Sequence, residues 1–215
     1  MMKFNGNNIK IEKTARYFMN ETKGKILKNV WIVIHGYAQL AEEFLAEFEF
    51  LDDDSALIVA PEGLSKFYFR NKIGASWMTK EDRFNEIEDY LNFLEKLVNQ
   101  LKNKFYLSDA KFNLLGFSQG VHTATRFFIN SGQKFDNLFL CSSDFPKDAD
   151  FEKLKTKLEY SNMYFIYGLK DEIVKQERYS ESVELLNKSN IDFSIVTFNG
   201  GHKIDRESIL KLLTK

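Results

Sequence analysis

The sequence predicts an α/β fold, with a mostly parallel central sheet covered by helices on both faces. Short runs such as "ALIVAP", residues 56–61, are apolar at nearly every position, which is typical of strands buried in a parallel sheet. These runs alternate with amphipathic segments, as parallel strands require, because each connection must cross over the sheet. At 215 residues, with no linker or internal repeat, the chain is expected to form one domain over 1–215.

The first elements follow a strand, helix, strand order. β-branched and aromatic residues dominate 9–19 and 29–35, which predicts two strands with Gly24 in the turn between them. Helix formers with apolar positions three and four apart predict a helix over 41–51. The next strand, over 56–61, is ended by a proline.

A long helix is the most regular element of the sequence. The stretch before it, up to Met78, is irregular and aromatic. Thr79 and Asp82 are predicted to form a capping box at its start. Its apolar stripe consists of Ile87, Leu91, Leu94, Val98 and Leu101.

The second half of the chain repeats the alternation. The same patterns predict strands over 111–115, 137–141, 163–167 and 193–198, and helices over 119–130, 148–158, 174–188 and 206–214. Because ligands of open parallel sheets bind at the carboxyl ends of the strands, residues just after strands are the functional candidates.

Composition and charge exclude several classes of protein. The net charge of −1 arises from mixed Lys and Glu, so no nucleic-acid partner is expected. The longest apolar run, 30–34, is far too short to span a bilayer, and no stable membrane association is expected. The N-terminus lacks a signal-peptide pattern and Cys141 has no partner for a disulfide, which favours a cytoplasmic location. The oligomeric state is not predicted.

No metal or cofactor is expected. The three histidines are scattered, His-x-x-x-His and Cys-x-x-Cys spacings do not occur, and a Gly-rich phosphate loop is missing from the sequence. Cys141 is predicted to be a buried hydrophobic residue of its strand.

The stretch "GFSQG", residues 116–120, joins a predicted strand to a predicted helix. Gly116 and Gly120 would let chains pass closely while Ser118 occupies a strained turn, which is the pattern of a nucleophile elbow. The alternative is a glycine-lined turn in which Ser118 only caps the helix.

A serine nucleophile needs a base, and imidazole is best suited to that task. His202 is the best candidate because "NGGH" follows the last predicted strand and a flexible loop can carry the ring towards Ser118. His122 lies one helical turn after Ser118 and is expected to be packed and hydrogen-bonded. His35 is expected to shape the loop after its strand.

The base in turn needs a carboxylate to fix its tautomer. Asp171, in "GLKDEIV", follows a strand and lies between Ser118 and His202 in the chain, which is the order of this architecture. Asp144 in "CSSDFP" is the rival, and Glu172 is a weaker one.

Two backbone amides are the candidates for binding the oxyanion that forms on the attacked carbonyl. Gln119 follows the nucleophile directly, and Tyr37 follows Gly36 in the loop after the second strand. The alternative is that His35 and Gly36 form only a tight turn.

These residues together resemble the α/β-hydrolase superfamily and, within it, the phospholipase/carboxylesterase family that includes acyl-protein thioesterases. The resemblance spans nearly the whole chain, through "IHGY", "SWM", "GFSQG", "GLKDEIV" and "NGGH", of which "GFSQG" is the most specific. It implies an α/β-hydrolase fold and a cofactor-free hydrolase of carboxylic esters, lysophospholipids or acyl thioesters. The family's nucleophile, acid and base match Ser118, Asp171 and His202.

The chain also departs from that family's pattern. Residues 37–39 replace a glycine and an acidic residue that usually follow the His-Gly pair, and Val121 replaces a second glycine after the elbow. Tyr167 and Lys175 stand where a histidine and a proline are common. Neither of these last two changes removes a catalytic group.

An aromatic segment is the candidate substrate groove, and an acyl chain would suit it. The alternative is that most of its residues pack on the sheet. With no long insertion between the late strands, little or no lid is expected, and the substrate is expected to be a small-molecule ester or thioester. Other interpretations are a non-catalytic scaffold that binds a partner, or a peptidase or acyltransferase of the same fold. The groove residues are Phe67, Tyr68, Phe69, Trp77 and Met78.

Overall fold

The structure, a computed structural model, describes residues 2–22 and 26–214, so the turn predicted at Gly24 lies outside the described residues. The strands are β1 Tyr17–Met19, β2 Asn29–Ile34, β3 Ala56–Pro61, β4 Ser65–Phe69, β5 Lys72–Ser76, β6 Lys111–Phe117, β7 Asn137–Cys141, β8 Asn162–Gly168 and β9 Ser194–Phe198. The helices are α1 Ala41–Ala46, α2 Arg83–Lys104, α3 Gln119–Asn130, α4 Phe151–Leu158, α5 Gln176–Lys188 and α6 Arg206–Leu213.

Within the described residues, seven strands form the central sheet, in the order β1-β3-β2-β6-β7-β8-β9. All neighbouring strands are parallel except β1, which pairs antiparallel with β3 at one edge. The predicted mostly parallel sheet is confirmed. The strand order reverses between β2 and β6, since β3 lies on one side of β2 and β6 on the other. Such a reversal opens a crevice at the carboxyl ends of the strands.

Alternate strand residues face opposite layers of helices. Val30 and Ile32 of β2 belong to the core shared with α2, α3, α4 and α5. Trp31 and Val33 belong to the core shared with α1 and α6. All four side chains are almost fully buried, so helices cover both faces of the sheet as the apolar strands predicted.

The first predicted strand is wrong in its extent. Only Tyr17–Met19 of the predicted 9–19 forms a strand, and Ile9 is exposed to solvent. The preceding segment is tied to α2 instead, through an ion pair between Lys10 and Glu88. The β-branched pattern is local, whereas a strand also needs a partner backbone, and β3 pairs with only three residues here.

The stretch predicted to be irregular contains the β4–β5 hairpin. Phe67 pairs with Gly74 in this hairpin, and the turn residues Arg70 and Asn71 have φ values of 48° and 64°. Left-handed conformations at both positions are what a two-residue hairpin turn requires, and Asn adopts them more readily than most residues. The consecutive aromatic residues Phe67–Phe69, followed by Asn71, were the signal for this hairpin in the sequence.

Several helix boundaries differ from their predictions, and α4 and α5 begin at Phe151 and Gln176 rather than at residues 148 and 174. The helix predicted over 41–51 ends at Ala46 and is followed by a 3-10 turn over Glu49–Leu51, although Phe44 and Leu51 remain buried. The predicted capping box at Thr79 is wrong, because α2 begins at Arg83.

None of the helices in 2–22 and 26–214 combines the length and the apolar character needed to cross a membrane.

Candidate active site

Ser118 occupies a strained turn between β6 and α3. Its φ and ψ are 52° and −123°, in the left-handed region that non-glycine residues rarely adopt. Its N–H donates a hydrogen bond to the Cys141 carbonyl over 2.9 Å, which fixes the turn against β7. The Ser118 side chain makes no capping hydrogen bond to α3, so the capping alternative finds no support here.

The glycines on either side of Ser118 are required by close backbone contacts. A Cβ atom on Gly116 would lie 2.4 Å from the carbonyl oxygen of Gly120, and one on Gly120 would lie 2.2 Å from the carbonyl oxygen of Ile34. Both distances are far shorter than any tolerable contact. The elbow therefore packs directly against the end of β2, which only glycine allows.

Gly120→Ala is expected to destabilise the protein by about 3 kcal/mol or more, because backbone atoms cannot move aside as a side chain can. The melting temperature should fall by roughly 6–12 °C for a chain of this size, measured by circular dichroism. Gly132→Ala is the matched control, since its new Cβ would meet only the Glu95 carboxylate at 3.4 Å. Equal melting temperatures for the two variants would contradict the packing argument.

The carboxylate of Asp171 lies in the loop after β8, is buried and accepts four hydrogen bonds. Its Oδ1 accepts from the backbone N–H groups of Ile173 and Val174, each at 2.9 Å. Its Oδ2 accepts from His202 Nδ1 at 2.9 Å and from the Tyr179 hydroxyl at 2.8 Å. Because a carboxylate only accepts, Nδ1 of His202 carries the proton, and Nε2 is left as the basic nitrogen of the neutral ring.

These donors hold Asp171 in its charged form. Burial would raise the pKa of the carboxyl group, but the hydrogen bonds from Val174, His202 and Tyr179 outweigh it, and the pKa lies below its ordinary value. Asp171 is thus an anion at any pH at which an imidazole titrates.

Hydrogen bonds hold the loop that carries His202 on both sides of that residue. The Lys170 N–H donates to the Gly200 carbonyl over 2.8 Å, and the Ser142 hydroxyl donates to the Lys203 carbonyl over 3.2 Å. A Cβ on Gly168 would lie 2.3 Å from that Gly200 oxygen, so the loops after β8 and β9 touch through their backbones. His202 is held beside Asp171 as a result.

His202 also lies next to the elbow. The His202 ring packs on the ring of Phe117, the residue before Ser118, with 4.9 Å between the ring centroids. Among the described contacts, no hydrogen bond joins the Ser118 hydroxyl to the imidazole. Such bonds are often loose without substrate and tighten when it binds.

The rival base and the rival acid pair with each other. His122 Nε2 lies 3.1 Å from Asp144 Oδ1, and Arg178 lies 3.7 Å from the other carboxylate oxygen. The hydrogen bond from His122, and the charges of His122 and Arg178, outweigh burial and lower the pKa of Asp144. Asp144 therefore has a partner other than His202, and Glu172, the weaker rival, is exposed.

His35 has both ring nitrogens engaged in the backbone. Nδ1 lies 2.7 Å from the Gly36 carbonyl, and Nε2 accepts the Gly63 N–H over 3.0 Å. The ring is fully buried, and burial lowers its pKa, so His35 is neutral. These contacts tie the loop after β2 to the chain after β3, a shaping role like the one expected from the sequence.

The loop after β2, which carries the Tyr37 amide, comes close to the elbow at Gly36. A Cβ on Gly36 would lie 3.1 Å from Cβ of Ser118, which shows how closely this loop approaches the nucleophile candidate. The Gly36 N–H is already bonded to the Gln39 side chain at 2.8 Å. Among the described residues, the Tyr37 N–H has no acceptor. The Gln119 N–H is among the first of α3, where helix amides lack intrahelical partners.

The Gln119 side chain has a role that no sequence pattern indicates. Its amide nitrogen donates to the Met78 carbonyl over 2.9 Å, and its oxygen accepts the Trp77 N–H over 3.1 Å. The elbow is thereby fastened to the end of the β4–β5 hairpin. The hairpin also holds the loop after β2, because the Ala38 N–H donates to the Ala75 carbonyl over 2.9 Å.

The five residues proposed as a substrate groove do not share one environment. Trp77 and Met78 are buried, and the Trp77 indole donates to the His35 carbonyl, which favours the alternative that both belong to the core. Phe67 stacks on Tyr37 with 5.1 Å between ring centroids, and Phe69 packs edge-on against the same ring at 6.1 Å. Tyr68 points to solvent and is 85% exposed.

Cys141 is buried in β7, and burial raises the pKa of its thiol, so a thiolate is disfavoured. Within 2–22 and 26–214, the histidine, cysteine and acidic residues form no cluster of three or more that could hold a metal ion.

Comparisons with known proteins give a family match and many structural matches. The family model described as Phospholipase/Carboxylesterase matches residues 15–214. A search of curated proteins finds no match. The structure resembles that of esterase PE8, with a TM-score of 0.71, 20% identity and coverage of 94% of this chain and 97% of that one. It also resembles acyl-protein thioesterase 2 of Zea mays (TM-score 0.69, 16% identity, 94% and 97% covered) and the Bacillus cereus carboxylesterase (0.63, 18%, 92% and 91%).

Proposed function

The chain belongs to the phospholipase/carboxylesterase family, and we propose that it is a serine hydrolase that cleaves carboxylic esters or acyl thioesters through Ser118, His202 and Asp171. The observation that carries this proposal is the hydrogen bond between His202 and the buried Asp171 carboxylate, beside the strained turn at Ser118. This arrangement provides a nucleophile, a base and an anion that orients the base.

In the first step His202 acts as the general base. Nε2 takes the hydroxyl proton of Ser118 as the oxygen attacks the substrate carbonyl carbon, which gives a tetrahedral intermediate. Asp171 stabilises the imidazolium that forms, because its charge lies 2.9 Å from Nδ1. The positive charge that develops on the ring therefore lies beside an anion, while the negative charge develops on the carbonyl oxygen of the substrate.

The N–H groups of Gln119 and Tyr37 bind the oxyanion of that intermediate. Both amides lack a described acceptor and lie on backbone fixed by close packing, so they need no reorganisation during the reaction. Collapse of the intermediate breaks the bond to the leaving group, which takes the proton from His202. Water, activated by the same imidazole, then hydrolyses the acyl-serine and regenerates Ser118.

The substrate class follows from what surrounds the nucleophile. Tyr37, Phe67 and Phe69 form a partly exposed aromatic cluster on the loop and hairpin that pack against the elbow. Apolar ring faces of this kind suit an acyl chain. Solved structures with the same fold include an esterase and an acyl-protein thioesterase, so both oxygen and sulfur leaving groups belong in the test.

Purified protein should hydrolyse short p-nitrophenyl esters well above the uncatalysed rate, because the proposed site needs no metal or cofactor. The assay compares p-nitrophenyl acetate, butyrate and octanoate with acyl thioesters of the same chain lengths. The ratio of kcat/KM values identifies the preferred leaving group and chain length. Failure to turn over any member of the panel would contradict the proposed function.

A further inference from the structure

Tyr179 is a buried side chain of α5 that contacts the proposed acid directly. Its hydroxyl donates to Oδ2 of Asp171 over 2.8 Å, the same oxygen that accepts Nδ1 of His202. Tyr179 has no exposed surface. The sequence gives no motif for this contact, since Tyr179 lies eight residues after Asp171 on an ordinary amphipathic helix.

The hydrogen bonds to Asp171 use the whole acceptor capacity of its carboxylate. A carboxylate offers about four lone-pair sites, and two backbone N–H groups, Tyr179 and His202 fill them. The Asp171 side chain has no exposed surface, so water cannot replace a lost donor readily. Oδ2 therefore accepts hydrogen bonds from both the Tyr179 phenol and the His202 imidazole.

We propose that Tyr179 is a positioning residue of the hydrolytic site, which orients the Asp171 carboxylate and limits how strongly Oδ2 stabilises the His202 imidazolium. The proposal rests on the proposed function for its catalytic consequence. Its structural basis is that Tyr179 and His202 donate hydrogen bonds to the same oxygen, Oδ2 of Asp171. A second donor on Oδ2 withdraws negative charge from the bond to His202, and both donors together define the rotation of the carboxylate.

The Tyr179 hydroxyl keeps its proton, and so remains a donor, over the whole pH range in which the kcat/KM profile is measured. Burial and the hydrogen bond to Asp171 raise the pKa of its hydroxyl far above the ordinary value, and they outweigh the contact with the Ser142 side chain, which lowers it. Asp144, in the loop after β7, adds a negative charge that acts in the same direction. On the β6 side the His202 ring packs on the apolar ring of Phe117.

Stacking fixes the Tyr179 ring. It lies face to face on Tyr167 of β8, with 4.2 Å between centroids and 11° between planes. The edge of the ring also meets Phe165, at 6.0 Å between centroids. The hydroxyl position is thus set by packing between α5 and the sheet, and removal of the oxygen alone leaves that packing intact.

Tyr179→Phe is expected to move the acidic limb of the kcat/KM profile to higher pH by about half to one unit. Without the phenol, Oδ2 binds the imidazolium more strongly, so His202 stays protonated to higher pH and the free base forms later. The matched control is Tyr167→Phe, which keeps the aromatic stack and removes a hydroxyl that makes no hydrogen bond among the described residues. In that control the acidic limb of the kcat/KM profile should stay at its wild-type pH.

The same shift should appear without turnover, in an NMR titration of the His202 ring. The chain has three histidines, and a His202→Gln variant assigns the signal. Replacing Tyr179 with a ring-fluorinated tyrosine, whose hydroxyl is a stronger donor, should move the midpoint in the opposite direction. This second substitution keeps the size and contacts of the ring should Tyr179→Phe fold poorly.

Opposite shifts for the two substitutions, with none for Tyr167→Phe, would support the proposal. An unchanged midpoint in folded Tyr179→Phe or in the fluorinated protein would overturn it, because a purely structural role does not move the titration. Absence of ester turnover in the wild type would contradict the proposed function alone, since the titration needs no substrate.

Discussion

Ser118→Ala should lower kcat for p-nitrophenyl ester hydrolysis by about 10⁴-fold or more, because removal of a serine nucleophile from a triad leaves only binding and oxyanion stabilisation. Alanine keeps the backbone strain at φ 52°, and the side-chain hydroxyl caps nothing, so the fold should survive. The measurement is steady-state hydrolysis alongside a melting curve.

Ser143→Ala is the matched control for Ser118→Ala. Ser143 is also a buried serine that follows a strand, but within the described residues its hydroxyl bonds only to the neighbouring Asp144, at 3.3 Å. Its replacement should change turnover less than about tenfold, in line with the loss of one neutral hydrogen bond. Equal turnover by wild type and Ser118→Ala would remove Ser118 from the proposed mechanism.

Asp171→Asn should lower kcat/KM by about 10³- to 10⁴-fold, because an amide oriented by two backbone N–H donors would present its NH₂ group to His202 and reverse the tautomer. The same NH₂ group would face the Tyr179 hydroxyl, which would lose its acceptor. Both effects act at the Oδ2 position, where the structure concentrates its two side-chain donors.

Asp144→Asn distinguishes the two candidate acids. Asp144 bonds to His122 rather than to His202, so its replacement should cost less than about tenfold in kcat/KM, as expected for a change outside the reacting groups. The reverse ranking of the two variants would transfer the acid role to Asp144. Parallel melting curves show that both proteins are folded.

The fold was predictable from the sequence because its main signals are local. A parallel sheet makes its strands largely apolar, so Ala56–Pro61 and most of Lys111–Phe117 can be recognised without any knowledge of their neighbours. The candidate nucleophile was equally visible, because close backbone approach at Gly116 and Gly120 requires glycine at fixed spacing from Ser118.

The contacts that the sequence could not give depend on how elements pack. Chain order cannot decide between Asp144 and Asp171, because both acids lie between Ser118 and His202 in the sequence. The position of α3 beside β7 gives Asp144 a different partner, His122. The bond from Tyr179 to Asp171 depends on the rotation of α5 about its axis. The Gln119 side chain likewise finds its partners only after the hairpin has folded against the elbow.

The proposed mechanism requires His202 to activate Ser118 as a nucleophile. A fluorophosphonate probe measures this activation, because the probe reacts covalently with activated serines, and peptide mass spectrometry locates the adduct. We expect a single adduct on Ser118 in the wild type and a labelling rate lower by about 10³-fold or more in His202→Ala. A wild-type protein that stays unlabelled, or that carries the label on another serine while Ser118 is unmodified, would contradict that mechanism.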